Sequence, residues 1–270
     1  MPLVPINGTR LFVEDTGPGS TGETIVFSHG LLWSGEMFAA QVAHFRDRYR
    51  CIAYDHRGQG RSDDHPGRIV TMELVYEDAV ALLESLGPGQ KVHFAGLSMG
   101  GFVAMRLAAR RPDLLASMIL LETSAEPEPR ENLRKYKMLN AVARYLSLSL
   151  VSNKVMPIMF GRDFLESPER ELDRRIWLSK LLGNRQSIYR AVNGVIEREG
   201  IEEEITRIKS PSLVIVGEQD TATVPAKAER IQRSIAGASL VRIPRAGHSS
   251  SIEHPEAVNA AIERFLSSLR

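Results

Sequence analysis

The chain has 270 residues, and its 34 Lys and Arg residues against 33 Asp and Glu residues give a formal net charge of +1. This length allows one sizeable hydrophobic core, with or without an inserted subdomain, and the balanced charge gives no electrostatic reason to expect a nucleic-acid partner. The single cysteine excludes an internal disulfide and a cysteine-rich metal site. No apolar run approaches membrane-spanning length and the N-terminal segment lacks the pattern of a secretion signal, so we expect a cytoplasmic protein without a membrane partner.

The first part of the chain alternates between strand and helix patterns. Residues 4–14 predict a hairpin, because Asn7-Gly8 is typical of a tight turn between two strands. Short apolar runs and helical apolar stripes then alternate. In chain order the further predicted strands are 25–28, 50–54, 92–95 and 118–121, and the predicted helices include 38–45, 75–86 and 101–109. Near the end, strands at 213–216 and 240–243 are each followed by a helix that begins at a proline, Pro225 and Pro255.

This alternation predicts an α/β fold with a mostly parallel twisted sheet and helices on both faces. Residues 124–205 interrupt the pattern with helical stretches rich in charge and methionine. We therefore expect a helical cap inserted after the sixth strand, on a core formed by residues 1–123 and 206–270. Such a cap would lie over the carboxyl ends of the strands, where open parallel sheets bind ligands. Candidate pocket residues, each of which could instead only pack the cap against the core, are Trp33, Met138, Met156, Met159, Phe160 and Trp177.

The segment Gly96-Leu97-Ser98-Met99-Gly100 lies between the predicted strand at 92–95 and the predicted helix at 101–109. A strand, a tight turn with a central serine and a helix form a nucleophile elbow, which holds the serine hydroxyl clear of the sheet. The pentapeptide alone would occur by chance in roughly one chain in ten, so its weight comes from the strand and the helix beside it. Ser98 is therefore the candidate nucleophile.

A serine nucleophile needs a base beside it, and histidine has a pKa near the operating pH. Of the seven histidines, His248 directly follows the last predicted strand, which places it at the sheet edge that carries Ser98. An acidic residue should orient the imidazole, and Asp220 follows the seventh strand at the same edge. Glu122 and Glu218 remain alternatives for the acid. We rank Asp220 first because a short turn after its strand directs it inward.

The oxyanion that forms during acyl transfer needs fixed hydrogen-bond donors. The backbone N–H of Met99, directly after the candidate nucleophile, is one expected donor. The loop after the strand at 25–28 begins His29-Gly30-Leu31, and the N–H of Leu31 is the second expected donor. We expect His29 to support this loop rather than to transfer a proton.

Over essentially its whole length the chain resembles the α/β-hydrolase superfamily. The residues that carry the resemblance are His29-Gly30, the segment 54–62, the elbow, Asp220 and Gly247-His248. Within the superfamily the chain is most similar to small capped carboxylesterases and to the 3-oxoadipate enol-lactonase branch, through the elbow and residues 247–256. The oxyanion loop has no Gly-Gly-Gly run. Leu32 stands where perhydrolase and haloperoxidase-like relatives tend to have proline, which weighs against that activity.

These residues predict a serine hydrolase that acts on carboxylic esters or lactones through an acyl-enzyme. No cofactor and no metal is expected; the partner would be a small ester or lactone, and a homo-oligomer is left open. A hydrolase of the same fold that cuts C–C bonds, or a perhydrolase-like side activity, remains an alternative, because the sequence does not place cap arginines such as Arg130, Arg134 and Arg162 relative to Ser98. A non-catalytic ligand-binding protein is the third alternative.

Overall fold

The computed structural model describes residues 3–270, and its eight strands form one sheet in the order β1-β2-β4-β3-β5-β6-β7-β8. The hairpin of β1 (Leu3–Ile6) and β2 (Thr9–Asp15) is antiparallel, and β2 pairs antiparallel with β4 (Arg50–Tyr54). All later pairs are parallel, which confirms the predicted α/β sheet. The remaining strands are β3 (Thr24–Ser28), β5 (Val92–Leu97), β6 (Leu115–Leu121), β7 (Ser212–Gly217) and β8 (Ser239–Ile243).

Helices cover both faces of this sheet, as the uniform burial of its central strands requires. Every residue of β3, β5 and β7 is buried, and successive residues of a strand point to opposite faces. Val26 therefore packs in the core under one layer of helices, whereas Ile25 and Phe27 pack under the other. The covering helices are α1 (Ala39–Phe45), α2 (Met72–Glu84), α3 (Met99–Arg110), α9 (Pro225–Ser234) and α11 (Pro255–Ser267).

Residues 124–205, all of which the structure describes, hold five α-helices, several short 3₁₀ helices and no strand. We propose that this segment is a separate cap subdomain on a core of residues 1–123 and 206–270, and we call it the cap below. Its helices are α4 (Arg130–Tyr145), α5 (Ser152–Met159), α6 (Arg162–Glu166), α7 (Glu171–Leu182) and α8 (Tyr189–Ile196). One further short helix, α10 (Ser250–Glu253), follows β8 and had no counterpart in the sequence prediction. Within residues 3–270, no helix combines the length and the apolarity that crossing a membrane would need.

Candidate active site

Ser98 stands in the turn between β5 and α3 with φ 52° and ψ −107°, a conformation that side-chain-bearing residues rarely adopt. The turn is held from the neighbouring strand β6. The Ser98 N–H donates to the Leu121 carbonyl at 2.9 Å, and the Thr123 hydroxyl donates to the Ser98 carbonyl at 2.8 Å. A Cβ at Gly96 or Gly100 would lie 2.2 or 2.0 Å from a neighbouring carbonyl oxygen, so glycine is needed for strand and helix to approach this closely.

His248 lies on the loop between β8 and α10, beside Asp220. Its Nδ1 is 2.9 Å from Asp220 Oδ2 and 3.1 Å from Oδ1. Asp220 also accepts the N–H groups of Ala222 and Thr223 at 2.8 and 3.0 Å and the Thr223 hydroxyl at 2.7 Å. Burial disfavours the ionised carboxyl, but the charge and hydrogen bond of His248, together with Thr223, outweigh burial and lower the pKa of Asp220. This arrangement leaves His248 Nε2 as the ring nitrogen available for proton transfer.

The two alternative acids do not contact His248. Glu122 Oε1 accepts the N–H of Gly217 at 3.0 Å, and its Oε2 has no hydrogen-bond partner among the described residues. Burial, and then the charge of Asp220, raise the pKa of Glu122 well above its usual range, which disfavours the ionised form needed to stabilise an imidazolium. Glu218 points into solvent at the start of the same loop as Asp220. Asp220 is therefore the carboxylate that the fold brings to the imidazole.

The backbone N–H groups of Leu31 and Met99 have no acceptor among the hydrogen bonds of residues 3–270. Met99 is the first residue of α3, where helices leave N–H groups unpaired. One side chain fixes the surroundings of both groups: Gln59 Oε1 accepts the N–H of Leu32 at 3.0 Å, and Gln59 Nε2 lies 3.6 Å from Met99 Sδ. Sequence analysis missed Gln59, because its partners lie in other segments.

His29 is a fully buried support of this loop. Its Nε2 accepts the His56 N–H at 2.9 Å, so Nδ1 carries the proton and donates to the Gly30 carbonyl at 2.7 Å. Burial lowers the pKa of His29 and lowers the pKa of His56 well below its usual value, which favours neutral rings. With both ring nitrogens engaged, His29 is occupied in holding the loop.

Ser98, His248 and Leu31 line one cavity, which encloses about 960 Å³ including its open mouth. Among the hydrogen bonds of residues 3–270, none joins Ser98 to His248, and catalytic hydrogen bonds often form only in the substrate complex. The cap side of the cavity is mostly aliphatic, with one ion pair in its wall between Arg198 Nη1 and Glu128 Oε2 at 2.9 Å. Its apolar cap residues are Leu139, Ala143, Leu148, Val151, Val155, Ile158, Met159, Ile188, Val192, Val195 and Ile196.

Most of the pocket residues expected from the sequence lie elsewhere. Met159 is on the cavity wall, but Met138 is 61% exposed on the outer face of α4, so its prediction was wrong. Three aromatic residues pack on one another between cap and core instead of lining this cavity: Trp33 lies 5.2 Å from Trp177 and 5.7 Å from Phe160 between ring centroids. Met156 is buried in the same apolar cluster as these aromatic residues and is also absent from the wall.

Within residues 3–270, no three His, Cys, Asp or Glu side chains are grouped so that they could hold a metal ion. The cap arginines considered from the sequence, Arg130, Arg134 and Arg162, do not line the cavity. Arg198, which the sequence analysis did not single out, does. The polar residues that line the cavity are Ser98, His248, Thr223, Tyr136, Asn140 and the Arg198–Glu128 pair.

Comparison with known proteins identifies the family. The model of the alpha/beta hydrolase family matches residues 25–261. A thermophilic esterase from Thermogutta terrifontis is 30% identical with a TM-score of 0.88, covering 100% of this chain and 97% of that chain. The enol-lactonase from Burkholderia xenovorans LB400 is 28% identical with a TM-score of 0.89, covering 98% and 100%. A relative from Caulobacter sp. (strain K31), which carries the provisional name carbamate hydrolase RutD, is 26% identical over 93% of each chain. The chain therefore belongs to the alpha/beta hydrolase family and is a hydrolytic enzyme.

Proposed function

We propose that this enzyme is a serine hydrolase that cleaves carboxylic esters or lactones through an acyl-enzyme intermediate. Ser98 is the nucleophile, His248 the general base and acid, and Asp220 the carboxylate that orients His248. The N–H groups of Leu31 and Met99 form the oxyanion hole. The observation that carries this proposal is the His248–Asp220 pair at 2.9 Å on the same cavity as a serine held at φ 52°.

The reaction follows from these positions. Ser98 Oγ bonds to the carbonyl carbon while its proton passes to His248 Nε2, and the carbonyl oxygen takes up negative charge facing the Leu31 and Met99 N–H groups. Collapse of this intermediate breaks the bond to the alcohol oxygen, which receives the proton from His248. A water molecule then gives its proton to His248 and attacks the acyl carbon, and Ser98 leaves with that proton.

The cavity favours substrates with an apolar portion, because its cap side is built from aliphatic side chains. Lactones fit the same chemistry, since ring opening differs from ester cleavage only in that the alcohol stays attached to the acyl group. The two named neighbours, an esterase and an enol-lactonase, support both substrate classes.

Turnover of a panel of p-nitrophenyl esters from acetate to laurate, together with lactones, tests this proposal. We expect Ser98→Ala to lower kcat by at least ~10³-fold on every substrate that the wild type cleaves. Ser251→Ala is the matched control, because Ser251 is buried nearby and its hydroxyl has no hydrogen-bond partner among the described residues. Wild-type rates in Ser98→Ala would contradict the proposal. An enzyme that ignores all of these esters but cuts a diketone-like ring-fission product would favour C–C hydrolysis instead.

A further inference from the structure

The cap meets the loop of His248 backbone to backbone. A Cβ on Gly247 would lie 2.0 Å from the Gly161 nitrogen, and a Cβ on Gly161 would lie 2.8 Å from the Gly247 nitrogen. Contacts this short leave no room for a side chain on either residue. Gly161 directly precedes α6 of the cap, and Gly247 directly precedes His248. A shift of this end of the cap therefore presses on the loop that carries the imidazole.

One buried carboxylate bridges the two backbones. Glu253, the last residue of α10, is 1% exposed. Its Oε1 accepts the N–H groups of Gly247 and Ser249 at 3.1 and 3.2 Å, and its Oε2 accepts the Gly161 N–H at 3.0 Å. Gly247 and Ser249 are the two neighbours of His248 in the chain. Within residues 3–270 no basic side chain forms an ion pair with Glu253, so backbone N–H groups alone stabilise its negative charge.

Side chains next to the catalytic acid bind the same end of the cap. Gln219 Nε2 donates to Asp163 Oδ1 at 2.8 Å, and Gln219 Oε1 accepts the Asp163 N–H at 3.1 Å. Arg245 Nε donates to Asp163 Oδ2 at 2.7 Å, and Arg170 of the cap donates to the Glu253 carbonyl at 2.7 Å. The start of α6 is thus bonded to the loop of the acid and to the loop of the histidine.

We propose that Glu253 is a positioning residue for the reaction, which fixes the backbone on both sides of His248 and ties it to the cap at Gly161. The inference rests on the proposed function, because that function makes His248 the base. A displacement of about 1 Å at a reacting group can cost on the order of 10²-fold in rate. Loss of the bridge should therefore lower kcat, whereas the aliphatic wall that binds the rest of the substrate stays in place.

Glu253→Gln tests this role, since it keeps the size of the side chain but turns an N–H₂ group toward N–H donors. We expect kcat for p-nitrophenyl butyrate to fall ~10–10²-fold while KM changes less than ~3-fold. The rate at which a fluorophosphonate modifies Ser98 should fall by the same factor as kcat. Glu256→Gln, an exposed position three residues later, is the matched control and should leave both rates unchanged. An active wild type with an equally active Glu253→Gln variant overturns the proposal.

Gln219→Ala is the second variant, which keeps the test decisive if Glu253→Gln does not fold. It removes the two bonds of Gln219 to Asp163 and leaves the Arg245 bond to Asp163 and the Glu253 carboxylate in place. We expect a smaller loss, roughly 3–10-fold in kcat at unchanged KM, because part of the connection remains. Unchanged kcat in this variant would overturn the proposal that the contact with the cap positions His248. A wild type that neither hydrolyses esters nor reacts at Ser98 would instead refute the proposed function itself.

Discussion

The two sides of the cavity are built differently. On the core side, Asp220 accepts four hydrogen bonds, and the turn at Ser98 is bonded on both its N–H and its carbonyl to the end of β6. On the cap side the wall is aliphatic, with the Arg198–Glu128 pair as its charged feature. Directional hydrogen bonds fix positions closely, whereas dispersion contacts tolerate different shapes. Under the proposed function, the hydrogen-bonded side holds the reacting groups and the aliphatic side contacts the rest of the substrate.

The largest effect should come from breaking the hydrogen-bonded side at its acid. Asp220→Asn supplies the wrong hydrogen-bond partner for His248 Nδ1, so we expect kcat to fall ~10⁴-fold on all esters alike. Glu122→Gln, a substitution of the same kind at the alternative acid, should cost much less, because burial already disfavours the ionised form there. Steady-state rates of both variants decide between them, and an active Asp220→Asn beside an inactive Glu122→Gln would reverse the assignment.

A second variant on the same side should loosen the loop that carries Leu31, a proposed donor of the oxyanion hole. Gln59→Leu removes the acceptor of the Leu32 N–H, which leaves the donor of the neighbouring Leu31 less firmly placed. We expect kcat to fall roughly 10–10²-fold with little change in KM, less than the cost of deleting a donor outright. Gln186→Leu, at an exposed cap position, is the control for the change of side chain. If the two variants have equal kcat, Gln59 does not support the oxyanion hole.

The core side also carries a buried charge, which makes its stability depend on pH. Burial raises the pKa of Glu253 to about 7, whereas its ordinary value is 4.5. Between these pH values the folded chain binds the proton more tightly than the unfolded chain, so this contribution to the free energy of unfolding is present below pH 4.5 and is lost as the pH rises through 7. We expect the free energy of unfolding to fall by up to roughly 3 kcal/mol over this pH range.

Urea unfolding of the wild type and Glu253→Gln at pH 5 and pH 8 measures this contribution. Because other groups titrate in both proteins, the difference between the two free energies of unfolding isolates Glu253. The wild type should lose stability relative to the variant toward pH 8. A difference that is constant with pH would show that the carboxyl titrates normally.

A change in the cap wall should affect selectivity between substrates rather than the chemical step. Ala143→Phe places a ring in the cavity from α4, so we expect kcat/KM for a decanoate ester to fall ~10–10²-fold relative to the acetate ester. Ala141→Phe is the matched control, because it puts the same ring on the exposed side of the same helix and should leave the ratio unchanged. Values of kcat/KM across the ester series check this prediction. An equal loss of kcat/KM for every acyl length would contradict a role of the cap wall in selectivity.

Much of the fold could be read from periodicity. The buried runs of β3, β5 and β7 and the turn at Asn7 and Gly8 are local signals, and they appear where the sequence predicts strands and a hairpin. The placement of Asp220 and His248 after neighbouring parallel strands follows from the same pattern, because the carboxyl ends of parallel strands meet at one edge.

The site features that the sequence did not predict depend on contacts between distant segments, which no local sequence pattern indicates. Gln59 and Glu253 act through hydrogen bonds whose partners include backbone groups, and backbone groups carry no sequence signal. Met138 was misplaced because an apolar residue in a helix does not reveal which face meets the cavity. The aromatic residues were misplaced for a related reason: large rings favour any apolar interface, and here Trp33 of the core packs against Trp177 of the cap.

The most direct test of the account is the site at which a fluorophosphonate reacts. Mass spectrometry of the labelled, digested enzyme should find one adduct on Ser98 in the wild type, and His248→Ala should show almost none at equal time, because the hydroxyl then lacks its base. An adduct on another serine, or an unlabelled wild type, would contradict the claim that Ser98 is a nucleophile activated by His248.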